Sequence, residues 1–94
     1  MSNSEYMGRF RAGQLLATPG VLSTVPRNEL MTAFYRHLRC DWGDVCDEDK
    51  QRNDQALKDG SRLFSAYQLS ENCRLWIITE ADRSATTILL PEEY

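Results

Sequence analysis

Near the C-terminus, Thr79-Glu80-Ala81-Asp82-Arg83-Ser84 sets two carboxylates, a guanidinium and two hydroxyls between two β-rich apolar runs. That set could do acid–base work on an anion, with Arg83 gripping the substrate while Glu80 or Asp82 handles a proton. The same residues also make a self-satisfied turn, in which Asp82 caps backbone N–H groups and Arg83 pairs with Glu80 or Asp82. A third role is a contact loop for a protein partner. His37 is the only histidine, so proton transfer near neutral pH would fall to it, with Asp82 or Glu80 as its companion. It sits on an apolar helical stripe, where a lone histidine is usually a hydrogen-bonded core residue, and no adjacent nucleophile accompanies it. Ser65 and Ser84 lack the glycine pattern of a nucleophile elbow.

Metal chemistry is a poorer match. His37, Cys40, Cys46 and Cys73 offer zinc-ligand types, but their spacing lacks the paired short steps of structural zinc sites, so no metal is expected. The acidic run Asp41, Asp44, Asp47, Glu48 and Asp49 lacks the calcium-loop pattern. Helix capping accounts for Asp47 to Asp49. Asp41 and Asp44 remain, flanking Trp42, and an exposed tryptophan between acids suits a protein interface. A buried Trp42 would instead be a core anchor. Glycine-rich phosphate cradles are absent, and no cofactor is expected.

These groups must be held by a small scaffold. Gln14–Ala17 reads as a short strand, and Thr18-Pro19 as the cap and first residue of a one- or two-turn helix ended by Pro26. Asn28 is a suitable N-cap for a helix through about residue 39, with Leu30, Phe34, His37 and Leu38 on one stripe, widened by Met31 and Tyr35. Asp47 reads as the N-cap of a further helix stopped by Gly60. Its inner stripe, Asp49, Asn53, Ala56 and Leu57, is too polar to pack firmly unless Asn53 meets a partner. Residues 62–69, 73–79 and 86–90 alternate as strands, the first two joined by Ser70-Glu71-Asn72. The expectation is a single α+β domain: an antiparallel β-meander of three or four strands with two or three helices packed on one face. The first five residues have no apolar anchor and are expected to fray.

The chain has 94 residues, a net charge of −3, 41% apolar and 27% charged residues. This suits one globular domain and argues against nonspecific nucleic-acid binding, which needs cationic groups on phosphates. Its basic residues are nine arginines and two lysines, a bias toward specific pairing over diffuse charge. No apolar run reaches bilayer length and no signal-peptide pattern opens the chain, so a cytoplasmic protein without a membrane partner is expected. Three cysteines cannot all pair with one another, consistent with reduced thiols.

Arg36-His37, Asp41-Trp42-Gly43-Asp44, Asp49, Asn53, Ser65-Ala66-Tyr67, the run Trp76–Ser84 and Thr86–Pro91 together resemble a family of small bacterial proteins of plasmids and other mobile elements. The resemblance runs from about Gly13 to Tyr94 and is most specific in its last segment. The family pattern has glycine where this chain has Cys40. The resemblance implies a genetic context and no particular reaction. In that context the expected function is a small acidic module that binds a protein partner, such as an inhibitor of a CRISPR or restriction defence. Its contact residues would be Asp41, Trp42, Asp44, Glu80, Asp82 and Arg83. The alternative is a small enzyme on a nucleotide or other anion, using His37 with Asp82 or Glu80. Homodimerisation through an open sheet edge is a structural possibility.

Overall fold

The computed structural model describes residues 9–94. The expected fraying of the first five residues lies outside the described residues. Strand β1 (Gln14–Ala17) is followed by helices α1 (Pro19–Thr24), α2 (Arg27–Leu38) and α3 (Asp47–Asp59), then strands β2 (Leu63–Ser70), β3 (Cys73–Thr79) and β4 (Ala85–Leu89), and a 3-10 turn at Pro91–Glu93. The α+β architecture is the one the sequence predicts. The sheet order is β1-β4-β3-β2. β2, β3 and β4 form the antiparallel meander, while β1 runs parallel to β4, so the sheet is mixed.

Local chemistry explains most boundaries. Thr18 accepts the Val21 N–H (3.3 Å) and Pro19 opens α1, the position where proline's missing N–H is harmless. α2 starts one residue before Asn28, because Pro26 (φ −59°) occupies the cap and presets the entry. Cys46, not Asp47, is the cap residue of α3, and Asp47, Glu48 and Asp49 fill its first turn, where they favour the positive end of the helix dipole. α3 ends at left-handed Gly60 (φ 80°).

The end of α2 is a Schellman motif. The Cys40 N–H donates to the His37 carbonyl (3.0 Å) and the Asp41 N–H to that of Arg36 (2.9 Å), with Cys40 left-handed at φ 66°. That conformation strains a residue with a Cβ and suits glycine.

α1 and α2 cover one face of the sheet, burying Val21, Leu30, Ala33, Phe34 and Leu38 against Tyr67, Leu75, Ile77 and Ile88. α3 lies along the outer edge of β2, and there Trp42, Val45, Ala56, Leu63 and Ala66 form a second buried cluster. Phe10 packs against both clusters.

Candidate functional site

His37 arrives on the buried stripe of α2 and has no exposed surface. Its Nδ1 lies 2.5 Å from Ser65 Oγ and its Nε2 lies 2.9 Å from Thr79 Oγ1. Thr79 Oγ1 is 2.8 Å from Thr86 Oγ1, and the Thr86 hydroxyl donates to the Ala12 carbonyl at 2.7 Å. The last acceptor fixes the direction of the chain. A carbonyl can only accept, so Thr86 spends its proton there and must accept from Thr79. Thr79 then accepts from the imidazole, placing the ring proton on Nε2, and Ser65 donates to bare Nδ1. Every donor meets one acceptor, and Ser65, Thr79 and Thr86 are as buried as His37. Burial pulls the His37 pKa from 6.5 down to about 3, and the nearby Arg83 charge pushes the same way. The imidazole is neutral and sealed from solvent.

The Thr79–Ser84 segment is a turn that satisfies itself, by a different route from the expected one. Asp82 Oδ1 accepts the Ser84 N–H at 2.9 Å, and bonding to Ser84 holds its carboxyl below the usual range. Arg83 is left-handed (φ 61°). Its guanidinium donates to carbonyls of Ser61 (2.7 Å), Glu80 (3.1 Å), Ala81 (3.3 Å) and Ala56 (3.1 Å). It does not pair with the Glu80 or Asp82 carboxylate; instead it joins the β3–β4 turn to the C-terminal end of α3, where carbonyls favour a cation. Glu80 and Asp82 are exposed and make no hydrogen bond to His37, which is enclosed by Ser65 and Thr79. The constellation of His37 with Glu80 or Asp82 is therefore not assembled.

The Asp41–Asp44 group is likewise engaged within the fold, with Asp41 and Asp44 themselves exposed and Trp42 buried. Asp41 takes a forked ion pair from Arg36 (2.7 and 3.2 Å) and accepts the Gly43 N–H (3.3 Å). The Arg36 bond lowers the Asp41 pKa and raises that of Arg36. Arg36 also stacks 4.7 Å over the Tyr67 ring, and the Tyr67 hydroxyl donates to the Asp41 carbonyl (2.7 Å). Trp42 is 5% exposed. It faces His37 and Phe10, with ring centroids 5.6 and 6.3 Å away, and its Nε1–H donates to Asp54 (3.2 Å). The expectation of an exposed interface tryptophan is corrected here: Trp42 is a core anchor whose polar tip reaches α3. Gly43 (φ 76°) passes so close to β2 that a Cβ would lie 2.1 Å from the Ala66 carbonyl. The Asp44 N–H donates to that carbonyl (2.6 Å), the Ala66 N–H to the Trp42 carbonyl (3.2 Å), and the Gln68 N–H to Asp44 Oδ2 (2.8 Å).

The chain matches no protein-family model, no curated protein and no solved structure.

The face of the sheet opposite α1 and α2 holds the feature that sequence reasoning missed. The loop Trp42–Cys46 wraps round β2, with Trp42 on the helix side and Val45 on the other. Val45, Phe64, Ala66 and Trp76 line a groove of about 450 Å³, rimmed by Asp44, Asp49 and Arg74. Phe64 and Trp76 meet edge to face at 5.1 Å, and Tyr94 closes against Trp76 at 5.7 Å. The signal was present: Phe64, Ala66, Trp76 and Ile78 alternate on the strand face opposite the core residues. A second signal was also legible, since Ser65, Thr79 and Thr86 share the inward phase with Ile77 and Ile88, near a lone histidine on an apolar stripe. No group of three or more potential metal ligands occurs among the described residues.

Proposed function

We propose that this chain is a small protein-binding module of a mobile genetic element, acting as an inhibitor of a host defence system such as CRISPR or restriction. The observation that carries the binding reading is the open groove beside Trp76. It has an apolar floor and a charged rim, the anatomy of a protein contact. Its aromatic floor can take an apolar anchor, and Asp44 and Asp49 on the rim favour a basic group beside it. The resemblance to mobile-element proteins and the acidic balance support the genetic setting and a basic host target. The groups expected to carry chemistry add nothing to an enzymatic reading, because His37 and Ser65 are enclosed and Arg83 is spent on carbonyls.

The test is affinity capture from the native host with the wild type, the rim variant Asp49→Lys/Arg74→Glu, and a control, Glu48→Lys, on the outer side of α3. A partner retained by wild type and control and lost by the rim variant is expected. Equal retention by the rim variant overturns the groove. Phage or plasmid entry into a restricting host, with and without the expressed chain, tests the inhibitor role. Unchanged entry rejects it.

A further inference from the structure

The two edges of the sheet are built differently. Along β2 the outward backbone groups are engaged from Phe64 as far as the Gln68 N–H: Asn53 takes both N–H and C=O of Phe64 (3.0 and 2.7 Å), and the Trp42–Asp44 loop takes those of Ala66 and the N–H of Gln68. β1 has no such protection. Gln14 and Thr18 donate toward β4, to the Ser84 and Ile88 carbonyls (3.0 and 3.1 Å), so alternation turns the N–H and C=O of Leu15 and Ala17 outward. Among the described residues no backbone group pairs with them. Gln14–Ala17 carries no charge and no proline, the usual guards of a free edge. Leu15 and Leu16 are 38% and 41% exposed.

We infer that β1 pairs with the β1 of a second copy of this chain, antiparallel about a twofold axis perpendicular to the sheet, forming one continuous eight-stranded sheet. A strand is the occupant whose donors and acceptors match this edge, and the twofold makes the contact self-complementary. Centring the pair on Leu15 sets Leu15 opposite its symmetry mate and Gln14 opposite the mate of Leu16. The two exposed leucines of each copy are thereby covered, and no like charges oppose one another. With the axis normal to the sheet, both helix layers lie on one side and both Val45–Trp76 grooves on the other. The dimer is independent of what the grooves bind, but it makes a binding module bivalent.

Sedimentation velocity from about 10 µM to about 1 mM tests this, because so short an edge gives a dissociation constant of the order of 10–100 µM. Leu15→Lys places a charge at the seam, and Ala17→Pro removes an outward N–H that the monomer does not use. Both are expected to raise the dissociation constant at least about tenfold. Tyr35→Lys, on the helix layer away from the edge, is expected to match the wild type. A wild type monomeric throughout, or edge variants that dimerise like it, overturns the inference. Amide exchange on the wild type gives a second reading should a variant misfold: Leu15 and Ala17 must gain protection as concentration rises, and flat exchange rejects the pairing. Groove binding measured on the monomeric variant separates failure of the dimer from failure of the groove.

Discussion

His37 shows how a residue suited to catalysis can be made structural. Its ring is flanked by hydroxyls that pass a single direction of hydrogen bonding from Ser65 to the Ala12 carbonyl. Protonation would bury a charge near Arg83, so the native state holds the imidazole neutral to about pH 3. The unfolded chain takes up that proton near pH 6.5. The stability this neutrality confers is therefore complete above pH 6.5 and is lost as pH falls from there toward 3. Between pH 7 and 5 the loss is expected to reach about 2 kcal/mol, seen as a falling urea midpoint. Asp41, Asp82 and Glu93, all held low by hydrogen bonds, contribute above the unfolded carboxylate range, and their share is lost only as pH falls below about 4. His37→Gln should flatten the profile between pH 7 and 5. A wild-type midpoint that does not move over this range would contradict the buried, neutral ring. At this scale the sequence showed the candidates but not their partners. A histidine on an apolar stripe was legible; the two hydroxyls that meet its ring and the third that completes the chain lie 28 to 49 residues away, on three strands whose register no local pattern specifies.

α3 is the element in which polar ties replace apolar packing. Its buried residues are Asn53 and Ala56, too little apolar surface to dock a helix at roughly 25 cal/mol per Å². It is fastened by Asn53 to Phe64, by Asp54 to the Trp42 indole, and by the Ala56 carbonyl to Arg83. Asn53 is the partner-seeking residue that the weak stripe demanded, and it does two tasks, anchoring the helix and closing the β2 edge. Asn53→Leu keeps the volume and removes both bonds. It should cost about 2 kcal/mol, since a backbone N–H and C=O lose their partners, and amide exchange at Phe64 should rise with that of α3. A variant with wild-type midpoint and protection would show that α3 is held by packing alone. The helices and the antiparallel meander were legible from period and caps. The parallel seat of β1 was not, because a four-residue strand carries no directional signal and its partner lies about 70 residues on.

At the scale of the whole molecule, the segments at the two ends of the described residues close the structure. The Ala12 carbonyl receives the Thr86 hydroxyl, and Glu93 accepts from the Thr18 hydroxyl (2.5 Å), the Gly20 N–H (3.0 Å) and the Leu90 N–H (2.9 Å). These contacts lie 73 to 75 residues apart across the chain, apart from the local Leu90 bond. Phe10 performs the matching task between the two cores. Its ring meets His37 edge-on at 5.3 Å and stacks on Trp42 at 6.3 Å, and the neighbouring Arg9 N–H donates to the Leu38 carbonyl (2.8 Å). The helix-covered core and the Trp42 cluster therefore share one side chain that belongs to neither the sheet nor a helix. If Phe10 couples them, Phe10→Ala should cost about 2–3 kcal/mol, less than a fully buried phenylalanine because the side chain is only partly buried. The decisive reading is cooperativity. In the wild type, tryptophan fluorescence, sensitive to the Trp42 cluster, and far-ultraviolet circular dichroism should give one urea transition. In Phe10→Ala the fluorescence transition should move to lower urea than the dichroism transition, as the Trp42 cluster opens first. Coincident transitions in the variant would mean that the two clusters are joined through β2 itself, with Phe10 a passenger on both.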